Sequence, residues 1–210
     1  MKPYSEACER NRDPIFAVIQ PLLAGRRAIL EIGSGTGQHA VYFAEKMPHL
    51  IWHTSDREMY HAGIRLWLDE AAVENVCPPV LLDVTQTPWP AVTVDAVYSA
   101  NTSHIMHWPE VAAMFAGVSR LLPAGGIFLL YGPFNYHGHY TSESNQRFDA
   151  QLKSRDPLSG IRDVEALDCL ANEAGMSLQG DLAMPANNRI LLWERRPLVV
   201  KDGTRSSRKQ

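Results

Sequence analysis

Short apolar runs alternate with segments of helical periodicity along most of the chain. The apolar runs lack polar alternation, which predicts strands buried on both faces of a parallel sheet; they cover residues 28–32, 50–54, 80–82, 95–99 and 127–131. The segments around them repeat apolar residues every three to four positions, which predicts amphipathic helices; they cover residues 13–23, 38–47, 58–73, 109–122 and 163–174. This alternation indicates right-handed βαβ units and a mainly parallel sheet.

The pattern changes towards the C-terminal end of the chain. Residues 177–182 and 189–194 predict two more strands, joined by a turn-rich stretch at 185–188. A connection of this kind is typical of a hairpin, so these two strands are expected to be antiparallel. The predicted fold class is therefore α/β, with a Rossmann-like, seven-stranded, mostly parallel sheet, helices on both faces and an antiparallel C-terminal hairpin.

The length of 210 residues predicts one domain, assigned to residues 1–196. Residues 1–24 are expected to form an N-terminal flap and a helix, with Asp13 as the N-cap and Pro14 in the first helical position. The polar stretch 132–162 is too long for an ordinary loop, which predicts an inserted substrate lid. Residues 197–210 carry basic side chains without apolar periodicity and are expected to be a disordered basic tail.

Composition excludes some classes of protein. The chain has 20 Lys and Arg against 23 Asp and Glu, which argues against nucleic acid as a partner because nucleic-acid binders are usually basic. No stretch approaches the roughly 18 apolar residues of a membrane span, and charges interrupt the N-terminus where a signal peptide is apolar. Cys8, Cys77 and Cys169 form no metal-binding pair in the sequence. We expect a cytoplasmic protein with no membrane partner and no metal; a homodimer is left open.

A glycine loop follows the first predicted strand, at the end of the sheet where α/β proteins bind ligands. Its glycines stand at every second position, Gly33, Gly35 and Gly37, and Glu31 stands two residues before the first. A dinucleotide loop would need its third glycine at position 38, which is Gln38, and the Gly-Lys-Ser/Thr of a P-loop is absent. The loop therefore fits neither nucleotide class, and a plain tight turn is the alternative interpretation.

The E-x-G-x-G-x-G spacing resembles motif I of the class I S-adenosylmethionine-dependent methyltransferases. The resemblance implies S-adenosylmethionine as cofactor, with its methionine part against the loop and its cationic groups near Glu31. It assigns Asp56 to the ribose hydroxyls, Asp83 to the adenine amino group and Val84 to the adenine ring. It places Asn101, after the fourth strand, in the loop that faces the methyl group. Taken alone, each aspartate is equally well a helix or turn cap.

Further motifs lie at residues 9–15, 35–39, 131–134, 141–145, 148–149, 154–157 and 160–163. Together they resemble one uncharacterised family, the domain-of-unknown-function group that includes methyltransferase-like protein 26. On this resemblance we expect Arg10 and Asn11 to fold over the cofactor as the N-terminal flap. His39 and Arg57 complete the expected cofactor contacts. A solvated helix entrance is the alternative for Arg10 and Asn11.

The resemblance implies methyl transfer by in-line displacement, in which the protein mainly aligns and desolvates the reactants. His104 closely follows the fourth strand, and because histidine has an intrinsic pKa of about 6.5 it is the candidate general base. A packing or capping histidine is the alternative.

The insert is expected to hold the methyl acceptor. Phe134 and Tyr140 are expected to line an aromatic cavity, and Asn145, Arg155 and Arg162 to orient a polar or anionic acceptor. The alternative is that both arginines form salt bridges with the aspartates that follow them.

The predicted function is S-adenosylmethionine-dependent methyl transfer to a small-molecule acceptor, because the chain shows no accessory domain for tethering a polymer. Two alternatives stay open. One is a protein or RNA methyltransferase whose basic tail contacts an acidic partner. The other is a non-catalytic S-adenosylmethionine-binding protein, which would share the glycine loop and the acidic residues.

Overall fold

Five parallel strands run side by side in the sheet. Four of them are mostly buried because their apolar residues can be covered on both faces, whereas the remaining one, Val76–Leu81, is an edge strand and is more exposed. The computed structural model describes residues 2–197. The strands are β1 (Ala28–Ile32), β2 (Ile51–Asp56), β3 (Val76–Leu81), β4 (Ala96–Ala100) and β5 (Ile127–Gly132). Their order in space is β3-β2-β1-β4-β5 and each neighbouring pair is parallel, so the carboxyl ends all lie at one edge of the sheet.

Two more pairs of strands follow in the chain. β6 (Phe134–Asn135) and β7 (Arg162–Asp163) form a separate short parallel pair, whereas β8 (Met176–Met184) and β9 (Asn188–Arg195) join the main sheet. β9 lies between β5 and β8 and is antiparallel to both. The main sheet thus has seven strands in the order β3-β2-β1-β4-β5-β9-β8. The predicted fold class, including the antiparallel hairpin, is confirmed.

Helices cover both faces of this sheet; those described are α1 (Glu6–Leu23), α2 (Gln38–Lys46), α3 (Glu58–Ala71), α4 (Trp108–Leu121), α5 (Glu143–Arg155) and α6 (Val164–Glu173). On one face, α1 and α2 bury Ile19 and Phe43 in a core with Trp52. On the other face, α4 and α6 bury Phe115 and Leu167 in a second core. Within residues 2–197, no helix has the length and apolarity needed to cross a membrane.

The start of α1 differs from the predicted one. The helix begins at Glu6, and its N-cap is Ser5, whose hydroxyl accepts from the backbone N–H of Cys8 at 3.3 Å. Two acidic side chains in the first turn favour this start through the helix dipole. Pro14 lies inside the helix, where it removes one bond of the helical ladder without ending it. The predicted N-cap, Asp13, is therefore an interior residue, and the prediction was wrong at this point.

The predicted lid, residues 132–162, is a folded part of the domain that contains β6, α5 and the first residue of β7. Its helix α5 is capped by Ser142, whose hydroxyl accepts from the backbone N–H of Asn145 at 3.1 Å. Its last residue, Arg162, donates to the backbone oxygen of Ser103 at 3.1 Å. The insert is therefore fastened to the loop that follows β4. Residues 198–210, most of the predicted basic tail, lie outside the described residues.

Candidate functional site

A cleft of about 1050 Å³ opens at the carboxyl ends of β1, β2, β3 and β4. The parallel topology brings the loops after these strands together, so residues far apart in the sequence meet there. The N-terminal residues border one side of the cleft and the insert borders another. The predicted site residues that line it are Glu31, Gly33, Gly35, His39, Asp56, Arg57, Asp83, Val84, Asn101 and His104.

The glycine loop folds into a backbone conformation that favours glycine. Gly33, Gly35 and Gly37 have φ values of 74°, 58° and 89°. A Cβ atom at Gly35 would meet no atom within 4 Å, so the loop is open to the cleft at this point. A Cβ atom at Gly37 would lie 3.3 Å from the Cα of Ile64, so this glycine lets the loop pack closely on α3. Gly37 therefore contributes to the packing of the loop on α3 and does not line the cleft.

Glu31 is a buried carboxylate at the base of the cleft, with 2% of its surface exposed. One of its oxygens accepts from the indole N–H of Trp52 at 3.1 Å. Burial raises the pKa of Glu31 to about 7, although hydrogen bonds from Trp52 and Ser34 counter the effect. No Lys or Arg of residues 2–197 forms an ion pair with it. The fold thus holds an acidic group away from water and without a cation.

Asp56 and Asp83 stand at the ends of neighbouring strands, as predicted. The carboxylate oxygens of Asp56 accept from the backbone N–H groups of Gly35 and Arg57, both at 2.8 Å. Burial raises the pKa of Asp56, and these hydrogen bonds oppose the rise. One oxygen of Asp83 accepts from the backbone N–H and the hydroxyl of Thr85, which lowers the pKa of Asp83. The second oxygen of Asp83 makes no hydrogen bond within the described residues.

Arg10 and Asn11 do not line the cleft. They lie in the first half of α1 and line a smaller neighbouring cavity of about 250 Å³, which we call the side cavity. Asn101 lines both spaces, so the two are adjacent. The helical course of α1 turns both side chains towards the side cavity, so the structure does not bring Arg10 and Asn11 to the cleft where the cofactor contact was expected. The side cavity is lined by Ala7, Arg10, Asn11, Pro14, Asn101, Tyr131, Pro185, Ala186 and Asn188.

An N-terminal segment, residues 2–5, does border the cleft, but with residues other than the predicted ones. The indole N–H of Trp67 donates to the backbone oxygen of Pro3 at 2.7 Å, which fastens the segment to α3. The backbone N–H of Ser5 donates to the side-chain oxygen of Gln38 at 2.6 Å, which fastens it to α2. The segment is therefore held against the helix that follows the glycine loop.

The loop after β4 brings Asn101 and His104 to the cleft. Asn101 has a φ of 57°, a left-handed conformation in which asparagine is enriched. The ring of His104 is 5% exposed and packs edge to face on Phe148, with 5.3 Å between the ring centroids. Its Nδ1 atom is buried and has no hydrogen-bond partner within the described residues. Burial, with a smaller effect of Arg162, lowers the pKa of His104 to about 4, so the imidazole is neutral near pH 7.

None of the five residues predicted to bind the acceptor lines the cleft. Phe134 is fully buried in the core between the sheet and the helices. The hydroxyl of Tyr140 donates to Asp149 at 2.7 Å. The side-chain amide of Asn145 donates to the backbone oxygen of Asn187 at 3.2 Å. Within the structure these three side chains thus contact the core, the insert itself and the turn between β8 and β9, and none of them faces the cleft.

Arg155 and Arg162, which were expected to orient the acceptor, also lie outside the cleft. Arg155 is exposed at the end of α5. Arg162 donates to backbone oxygens of the loop after β4 and so supports that loop from outside the cleft. Within residues 2–197 neither arginine forms a salt bridge with the aspartate that follows it. Asp156 accepts from the ring of His107 at 2.6 Å, and Asp163 accepts from the backbone N–H of Gly138 at 3.2 Å.

The insert contributes two different residues to the cleft, Phe148 and Asp156, which the prediction missed. Phe148 is apolar on an otherwise polar stretch of α5 and remains 36% exposed. The sequence could have indicated this contact, because a large apolar side chain on a polar helix often faces a binding site or another part of the protein. Met59 and Tyr60 at the start of α3 also line the cleft and were not singled out.

The family comparison covers nearly the whole described chain. Residues 2–195 match the model of a family described as "Protein of unknown function (DUF938)".

The chain also shares its fold with solved methyltransferase structures. It superposes with a TM-score of 0.80 on an O-methyltransferase family protein from Burkholderia thailandensis, at 14% identity, covering 91% of this chain and 58% of that one. Human N-acetylserotonin methyltransferase in complex with SAM superposes with a TM-score of 0.77 at 15% identity, covering 91% of this chain and 53% of that one. An O-methyltransferase family 2 protein from Planctomyces limnophilus in complex with apigenin superposes with a TM-score of 0.76 at 18% identity, covering 88% of this chain and 56% of that one. The chain thus spans little more than half the length of these proteins, and the likeness establishes a class I methyltransferase fold.

Proposed function

The chain belongs to the DUF938 family of proteins of unknown function, and we propose that it binds S-adenosylmethionine in the cleft and transfers the methyl group to a small molecule. The observation that carries the proposal is Glu31, a buried carboxylate without a cationic partner among the described residues. Such a group is stabilised by an enclosed cation, and S-adenosylmethionine brings an ammonium and a sulfonium.

The other residues of the cleft suit the remaining parts of this cofactor. Asp56 at the end of β2 offers carboxylate oxygens to ribose hydroxyls, and the second oxygen of Asp83 can accept from the adenine amino group. The open backbone at Gly35 leaves space for the methionine part. A cofactor with a pyrophosphate fits less well, because its negative charge would face Glu31 and Asp56.

When bound, S-adenosylmethionine supplies a methyl group on a sulfonium, which is already a good leaving group. The residues of the cleft then have to align the acceptor and exclude water, which can lower the barrier by roughly 7–11 kcal/mol. His104 presents a neutral imidazole that can take a proton from the acceptor. Because its pKa is about 4, His104 is a weak base, and we place its contribution near the lower end of the usual range, at about 100-fold.

The solved structures with this fold support a small acceptor. One contains apigenin and another is named for methylation of N-acetylserotonin, both of which are small molecules. Because sequence identity to these proteins is only 15–18%, we carry over from them only the class of acceptor, a small molecule, and not a particular compound.

Calorimetry and mass spectrometry test the proposal. Titration with S-adenosylmethionine should give one binding site per chain. Asp56→Asn should weaken it by about tenfold, as expected for a lost hydrogen bond to a charged group. Asp69→Asn, on the exposed face of α3, is the matched control and should bind normally.

Incubation of a metabolite extract with methyl-deuterated cofactor should then yield a labelled small molecule. Absence of cofactor binding would refute the proposal. Binding without a labelled product, in small-molecule, RNA and protein fractions alike, would replace it by the non-catalytic alternative.

A further inference from the structure

The side cavity is a space beside the cleft that the proposed cofactor does not use. Its walls come from α1, from the end of β5 and from the turn between β8 and β9. Asn101, at the end of β4, is the residue through which it adjoins the cleft. A molecule held in the side cavity would therefore reach the cleft beside the loop after β4.

Two polar side chains of this cavity lie close together. The ring Nε2 of His39 lies 2.7 Å from the side-chain oxygen of Asn11, and because that oxygen only accepts, Nε2 is the donor. This leaves the amide N–H₂ group of Asn11 as a donor, and Asn11 partly offsets the effect of burial, which raises the pKa of Tyr131. Tyr131 lines the side cavity, where its hydroxyl can donate to a bound molecule.

Arg10 provides the charge of the side cavity. The side chain of Arg10 is 72% exposed, and its Nη1 lies 3.3 Å from a carboxylate oxygen of Glu6, whose side chain is 81% exposed and does not line the cavity. An exposed ion pair of this kind is weak, so Arg10 is free to bind a ligand. No acidic side chain of the described chain lines this space. Its charged and donating groups, Arg10 and the Tyr131 hydroxyl, are both suited to an anion.

We propose that the side cavity binds an anionic group of the methyl acceptor, a carboxylate or a phosphate, with Arg10 as its counter-ion and Tyr131 as a hydrogen-bond donor. The inference rests on the proposed function, since it places the acceptor next to the cofactor. An acceptor held by its anionic group extends past Asn101 into the cleft. The substrate class is thus a small organic acid or phosphate ester.

Binding of simple anions tests this inference. The protein is saturated with S-adenosylhomocysteine and titrated with benzoate, phenyl phosphate and the neutral analogue benzamide. Benzoate or phenyl phosphate should bind at least about tenfold more tightly than benzamide, and the tighter of the two identifies the anion. Arg10→Gln should remove this preference, and Tyr131→Phe should reduce it severalfold.

Arg147→Gln is the matched control, because Arg147 forms the same kind of exposed pair, with Glu143 at 3.5 Å, away from both spaces. It should leave anion binding unchanged. Arg10→Gln should bind S-adenosylhomocysteine with wild-type affinity, because Arg10 does not line the cleft.

The two proposals fail in different ways. Normal cofactor binding with equal affinities for benzoate, phenyl phosphate and benzamide, or with no binding of any of them, would overturn the inference alone. Anion binding that survives in Arg10→Gln would also overturn it. Failure to bind S-adenosylhomocysteine would instead refute the proposed function.

Discussion

Glu31 couples the stability of the protein to pH, and its replacement by glutamine tests this coupling. Burial raises the pKa of Glu31 from 4.5 to about 7, so the folded protein holds this proton more tightly than the unfolded chain does. The free energy of unfolding therefore falls as pH rises from about 4.5 to about 7 and levels off above that range. Since one pH unit corresponds to about 1.4 kcal/mol, the loss attributable to Glu31 is about 3 kcal/mol.

Glu31→Gln keeps an acceptor for the Trp52 indole N–H, and the side chain no longer ionises. We expect the variant to match the wild type within about 1 kcal/mol near pH 4.5 and to be about 3 kcal/mol more stable near pH 8. For a domain of this size the difference corresponds to roughly 6–12 °C in Tm. Urea unfolding at a series of pH values without cofactor measures it.

Glu45→Gln, on the exposed surface of α2, provides the matched control and should follow the wild-type pH profile. If the free energy of unfolding of Glu31→Gln changed with pH in the same way as that of the wild type, the reasoning would be refuted, because the buried carboxyl would then not be the titrating group. S-Adenosylmethionine gives a second comparison. Its cationic groups should stabilise the wild type more near pH 8 than near pH 5, and this difference should be absent in Glu31→Gln.

Three further substitutions have defined outcomes. His104→Gln should lower kcat by about 100-fold with unchanged cofactor affinity in steady-state kinetics and calorimetry; undiminished turnover would remove His104 from the mechanism. Gly63→Ala places a Cβ atom 2.6 Å from Pro3 Cγ, so the N-terminal segment must move, although alanine favours the helix. Cofactor affinity should therefore fall about fivefold without a lower Tm, and unchanged affinity would show that the segment does not contribute to binding. Gly117→Ala drives a Cβ atom into the ring of Trp89 and should cost about 1–3 kcal/mol by urea unfolding; wild-type stability would contradict the tight packing.

The cofactor side of the site was predictable because its determinants are local. The glycine loop follows β1, Asp56 ends β2 and Asp83 lies two residues after β3, and parallel strands bring their carboxyl ends to one edge. Recognising the strands was therefore enough to place these residues together. The first helix was mispredicted because Pro14 was taken as a helix start, whereas Ser5 carries the N-cap. The acidic first turn after Ser5 was the signal that the prediction did not use.

The acceptor side was less predictable because it depends on distant partners. Asn145 meets the backbone oxygen of Asn187 from the turn between β8 and β9, and nothing near either residue in the sequence indicates that contact. Tyr140 of the insert is satisfied by Asp149, and the insert residues that line the cleft are Phe148 and Asp156 instead of the predicted ones. The side cavity was not foreseen for the same reason, since its walls come from α1 and from the β8–β9 turn.

The position of β9 between β5 and β8 also has a consequence for biosynthesis. Among the described strands β9 is the last to be translated, yet it occupies an inner place in the sheet. Until it arrives, the nascent chain exposes the edge of β5, a strand whose residues are all buried in the finished domain. An uncovered apolar edge of this kind invites pairing with other chains. The loops after β1 to β4, which line much of the cleft, precede β5 in the chain, so they are synthesised before the part of the side-cavity wall that the turn between β8 and β9 supplies. We expect the interval before β9 docks to be the stage of folding most prone to aggregation.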